Sequence, residues 1–174
     1  MSIVAKIKWL LMPSKKYIPY LRKKGMQIGE NCEFYKSASF GSEPYLITVG
    51  NHVRINAGVN FVTHDGGNWV LRDPLSGFGE EFKNADRFGK IVVEDNVHIG
   101  TNAIIMPGVR IGKNSIVACG AVVTRDVPER SIVGGIPARV IESLDVYAEK
   151  AREKCVMTKH LSPEEKKKFL MDNL

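Results

Sequence analysis

His64 is the residue of this chain best placed to do chemistry. It stands in the run Phe61-Val62-Thr63-His64-Asp65-Gly66, where a regular pattern stops and an aromatic-rich segment begins. A neutral imidazole within hydrogen-bond reach of a hydroxyl can take its proton as a new bond forms on oxygen, and it titrates in the useful range. Asp65 and Glu43 are the carboxylates expected to hold the ring's other nitrogen or to bind substrate hydroxyls, and Trp69 is a candidate substrate contact. His98, after the turn Asp95-Asn96-Val97, is expected to be structural or to line a ligand cleft, while His52 and His160 should face solvent. The three cysteines, Cys32, Cys119 and Cys155, have no metal-type spacing and make an odd number, which points to a reducing compartment.

These residues must be held by something, and the chain counts in sixes to do it. Val93, Ile99, Ile105, Ile111, Val117 and Val123 are all aliphatic and β-branched; four places after each come Val97, Ala103, Val109, Ser115, Ala121 and Val127. Six-residue periodicity predicts a parallel β-helix, in which each unit is one short strand and a turn and stacked coils bury one another's apolar side. The same count runs through Ile28, Phe34 and Phe40, and again through Val49, Ile55 and Phe61. The step from Phe40 to Val49 is nine, so the frame slips around Ser42-Glu43-Pro44-Tyr45. A longer break, residues 66–89, carries Trp69, Phe78, Phe82 and Phe88, too many large aromatics for a solvated linker. Insertions into solenoids project from one face, often the binding face.

The predicted organisation is therefore a basic helical segment over residues 1–24, a repeat domain over 25–141 with its excursion at 66–89, and a helical tail over 142–174. The net charge of +6 is uneven: seven Lys and Arg residues precede the first acid, Glu30. Ile3, Ile7, Leu10 and Leu11 share one face of a short basic amphipathic helix, suited to cap the open end of the coils or to touch an anionic membrane surface. Nothing resembles a signal peptide or a membrane span, so the expected location is the cytoplasm or the inner face of its membrane. No nucleic-acid reader motif accompanies the basic charge. Ser143 is a candidate N-cap for a first tail helix, and Ser162-Pro163-Glu164-Glu165 reads as a capping box opening a second.

Four stretches carry a family resemblance: Ile91-Val92-Val93-Glu94-Asp95-Asn96-Val97-His98-Ile99-Gly100, Met106-Pro107-Gly108-Val109-Arg110-Ile111-Gly112, Gly120 to Pro128, and Gly134-Gly135-Ile136-Pro137-Ala138-Arg139-Val140-Ile141. Over roughly residues 25–141 the chain resembles the hexapeptide-repeat acetyltransferases, above all the maltose, galactoside and capsular or lipopolysaccharide sugar O-acetyltransferases. The resemblance implies an all-β solenoid that is a left-handed parallel β-helix, a homotrimer, and acetyl-CoA as donor. It implies His64 as general base, because the family's histidine lies just before its long loop, and it implies direct transfer of the acetyl group. Thr101, Cys119, Gly120, Ala121 and Thr124 match positions that line the pantetheine arm, and Arg139 matches one that meets the nucleotide phosphates, with Arg125 and Arg130 near that end. A nucleophilic role for Cys119 is not expected, since no histidine accompanies it.

The γ-class carbonic anhydrases share this fold but need three histidines, two of them five residues apart. Five from His98 is Ala103, so no metal is expected. On the acceptor side the chain departs from the sugar-specific relatives, with Lys36 at the position of their sugar-binding Asn and Ser42-Glu43-Pro44-Tyr45 in place of their acidic turn. The basic N-terminus and the helical tail resemble the capsule, exopolysaccharide and lipopolysaccharide branch of the family, and that resemblance implies a sugar of a growing surface glycan as acceptor. N-acetylation of an amino sugar nucleotide and a non-catalytic trimeric scaffold are the alternatives.

Overall fold

The computed structural model describes residues 13 and 16–173; the amphipathic stretch at residues 3–12 lies outside the described residues. The coil begins at β1 (Gln27–Ile28) and β2 (Glu33–Phe34). It continues through β3 (Ile47–Val49), β4 (Arg54–Ile55) and β5 (Asn60–Phe61). After the excursion come β8 (Ile91–Val93), β9 (His98–Ile99), β10 (Ile104–Ile105), β11 (Arg110–Ile111), β12 (Ile116–Val117) and β13 (Val122–Val123). These short strands form three parallel sheets, visited in turn. β1, β3, β8 and β11 make the first face, β2, β4, β9 and β12 the second, and β5, β10 and β13 the third. Val93 pairs with Ile111, Ile99 with Val117 and Ile105 with Val123, so one circuit is three sixes.

One residue of each two-residue strand points inward. Ile47, Ile55, Phe61, Ile99, Ile105, Ile111 and Val117 are wholly buried, and the small corner residues Val59, Ala103 and Ala121 stack between them. Where the corners need a left-handed backbone the chain supplies Asn31, Asn96, Asn102 and Asn114, with φ between 55 and 59°; asparagine tolerates that region better than other non-glycine residues. His52, at φ 54°, takes the same role, and its Nδ1 lies 2.8 Å from Asn96 Oδ1. The frame slip is a 3-10 turn, Pro44–Leu46, which lengthens the first circuit so that Ile28 pairs with Val49.

Both ends of the coil are closed. Helix α1 (Tyr17–Lys23) buries Tyr17 and Leu21. The Tyr17 ring lies 6.3 Å from Phe40, its hydroxyl donates to Ala38 O at 3.0 Å, and burial pushes the phenol up to about 12. At the far end β14 (Ser131–Gly135) is followed by β15 (Ala138–Ser143), which runs back antiparallel. The parallel coil thus ends, among the described residues, in one antiparallel strand that the sequence pattern does not predict, and this strand satisfies an edge of β14 that would otherwise stay unpaired.

Residues 145–174 form a separate unit. Helix α4 (Leu144–Lys154) starts directly after Ser143, and α5 (Pro163–Asn173) opens on the expected capping box. Ser162 N donates to Glu165 Oε2 at 2.9 Å and Glu165 N donates to Ser162 Oγ at 3.3 Å. The Ser162 amide, and after it the Ser162 hydroxyl, holds the Glu165 carboxyl below its ordinary value.

Candidate active site

The excursion is built, not slack. β6 (His64–Asp65) leaves the corner between the third and first faces and pairs antiparallel with β7 (Arg87–Phe88). Between them lie α2 (Asn68–Arg72), a 3-10 turn at Pro74–Ser76 and α3 (Gly79–Phe82). Gly89 N donates to Thr63 O at 3.0 Å, so the excursion returns to the coil beside the residue that precedes His64.

His64 is half exposed. Phe88, its cross-strand partner, lays its ring against the imidazole with centroids 4.6 Å apart and planes tilted by 30°. Its Nε2 lies 3.5 Å from Asp86 Oδ1, and the Arg72 guanidinium pairs with that same carboxylate. Arg72 also donates to Ala85 O at 2.6 Å, and Asn68 Nδ2 donates there at 3.1 Å.

The two acids expected beside the ring are elsewhere. Asp65 Oδ1 accepts from Gly67 N at 2.9 Å, and its other oxygen lies 3.5 Å from Arg87. Strand alternation explains this, because neighbours on β6 point to opposite faces. Glu43 accepts from the buried Thr63 hydroxyl at 2.7 Å, which ties the frame-slip turn to the corner below His64. Asp86 takes the place expected for these acids. No periodicity reaches it, and only the antiparallel return of the excursion brings it to the histidine. Trp69 is 79% exposed on α2, with Leu75 at 97% and Phe78 at 52% on the same excursion.

The expected donor residues fall into two groups. Thr101, Cys119 and Gly120 lie at the corner that precedes β10 and β13, with Gly120 N donating to Thr101 O at 2.8 Å. Thr124 follows β13 at the opposite corner of that face, in register two coils beyond Val62 and so on the His64 edge. Ala121, also expected there, has a wholly buried side chain; its amide donates to Ala118 O and its carbonyl accepts from Ile104 N. Arg139 is exposed on β15, where its guanidinium donates to Ala138 O at 2.8 Å. It lines a cavity of about 170 Å³ with Arg125, Val133 and Val140. Arg130 occupies a corner instead, with φ 55°.

His98 lies on the second face, between Arg54 and Ile116 in register. With Asn96, Asn114 and Leu144 it lines a cavity of about 400 Å³, separate from His64. Burial, then the Arg54 charge, push its imidazole below the ordinary value. Among the described residues no three His, Cys, Asp or Glu side chains are grouped to hold a metal, and no helix is long and apolar enough to cross a membrane.

Residues 90–125 match the family model described as bacterial transferase hexapeptide (six repeats). Protein CapG of Staphylococcus aureus is 46% identical over 154 residues, covering 87% of this chain and 86% of its own. The chain belongs to the hexapeptide-repeat acetyltransferases. It is an acyltransferase. A galactoside O-acetyltransferase of Lactococcus lactis is 34% identical over 142 residues, with 69% of this chain and 64% of that one covered. Among solved structures, a hexapeptide-repeat acetyltransferase from Vibrio cholerae in complex with acetyl-CoA is 28% identical, with a TM-score of 0.58 over 80% of this chain and 82% of its own.

Proposed function

We propose that this hexapeptide-repeat acetyltransferase moves the acetyl group of acetyl-CoA to a sugar hydroxyl during assembly of a surface polysaccharide, with His64 as general base. The observation that carries the reading is His64 itself, half exposed at the coil's break with the Asp86 carboxylate 3.5 Å from its Nε2. In the reaction, the acceptor hydroxyl loses its proton to the imidazole as its oxygen bonds to the thioester carbon. The tetrahedral intermediate then expels the CoA thiolate, which takes the proton back from the imidazolium. The acetyl-CoA complex of the Vibrio cholerae relative supports the donor, and the likeness to Protein CapG supports a place in capsule chemistry.

The assembly is a homotrimer of left-handed β-helices. Support comes from the split donor set: Thr101, Cys119 and Gly120 share a corner across the third face from His64. Two copies side by side bring one copy's corner to another's His64. The N-terminal basic segment gives the enzyme a means of resting on the inner face of the membrane, near a growing glycan. A thiol-release assay with sugars, sugar nucleotides and lipid-linked saccharides tests the activity. Release with a hydroxyl acceptor supports it, and release only with an amino sugar nucleotide assigns N-acetylation instead. Light scattering that finds active single chains contradicts the trimer.

A further inference from the structure

We infer that Asp86, held by Arg72, is the positioning residue for His64, so that the excursion and not the coil sets the tautomer of the base. This rests on the reading of His64 as general base. Three acids lie near the corner, but only Asp86 faces the ring, 3.5 Å from Nε2. Asp65 is occupied by Gly67 N and Arg87, and Glu43 by the Thr63 hydroxyl.

At 3.5 Å the contact is an ion-pair distance, and a carboxylate, an acceptor only, favours the tautomer with the proton on the nitrogen that faces it, Nε2. The lone pair then resides on Nδ1, which becomes the atom that receives the acceptor's proton. Asp86 cannot swing freely away. Its guanidinium partner, Arg72, is anchored to Ala85 O, and Asn68 reaches the same carbonyl. Phe88 fixes the ring plane from the next position but one. Two residues from the end of the excursion, Asp86 and Phe88, thus meet the imidazole, and Arg72 and Asn68 from its start hold the segment that carries them.

The ion pair makes a coupling test. Asp86→Asn should lower kcat roughly 10- to 100-fold, part of the ~10²- to 10⁴-fold that a general base supplies, with acetyl-CoA affinity little changed. Arg72→Gln, which frees Asp86 to move, should lower kcat in the same direction. Asp65 and Arg87 stay paired with each other in both variants. In the Asp86→Asn background, Arg72→Gln should cost nothing further, since its effect passes through the lost carboxylate.

Long-range ¹H–¹⁵N spectra of histidine-labelled enzyme, with the His64 signals assigned by their loss in His64→Ala, read the tautomer without turnover. The Nε2–H form should dominate in the wild type and lose its dominance in Asp86→Asn. A fully active Asp86→Asn, in an enzyme that His64→Ala inactivates, overturns the positioning role and leaves the base intact. Should His64→Ala keep its rate, the base reading fails by itself. The spectra then decide Asp86 alone, an unchanged tautomer in Asp86→Asn overturning the inference.

Discussion

Gly89 is where the excursion meets the coil, and adding one methyl group there should be felt at His64. A Cβ on Gly89 would lie 2.7 Å from the Pro107 carbonyl carbon, and closer still to the Gly108 amide nitrogen. Carbon atoms pack at about 3.5 Å, so Gly89→Ala requires a displacement of at least about 0.8 Å. Both obstacles are backbone in the adjacent coil, and neither can rotate away. Overpacking of this kind costs about 1–3 kcal/mol, or a melting point lower by about 2–12 °C at this chain length. The displaced strand end carries the bond from Gly89 N to Thr63 O, and Phe88 and Asp86 follow it. A shift of about 1 Å in a catalytic group can cost ~10²-fold in rate. Differential scanning fluorimetry and the thiol-release assay read the two effects separately. A lowered melting point with unchanged kcat refutes the coupling of this junction to His64. An unchanged melting point refutes the packing itself.

Two further outcomes are expected. Burial and Arg54 hold His98 below its ordinary value, so the native state disfavours its protonation. The resulting stability is present above the unfolded imidazole value, ~6.5, and is lost as pH falls from there toward the lower folded value. Melting curves of His98→Gln across that window should show a shallower decline than wild type; parallel declines contradict the assignment. Arg139→Ala should weaken acetyl-CoA binding by about 1.5–3 kcal/mol if the guanidinium meets a phosphate. Wild type and variant should use acetyl-pantetheine equally poorly, and a variant equally impaired with that truncated donor makes Arg139 structural.

The coil was legible because its information is local and repeated. The inward residues Val93, Ile99 and Ile105 recur at one spacing, and their burial follows from it. The slip at Pro44 was visible as a step of nine, although its form as a 3-10 turn was not. The antiparallel β15 escaped because Ala138–Ser143 has no partner of its own period; the open edge of β14 recruits it. Of the site, His64 stands out by its place at the break. Asp86 does not, because an isolated acid in an aperiodic segment acquires a partner only when β6 and β7 pair. Proximity in sequence favoured Asp65, and strand alternation turned it away from the ring.

General-base catalysis by His64 is tested most directly by the pH dependence of turnover in His64→Ala, with saturating acetyl-CoA and the acceptor that the substrate panel identifies. A loss of roughly 10²- to 10⁴-fold is expected, with acetyl-CoA affinity little changed and the acid limb of the wild-type profile abolished. Wild-type turnover with the limb intact would contradict it and move the base to another residue.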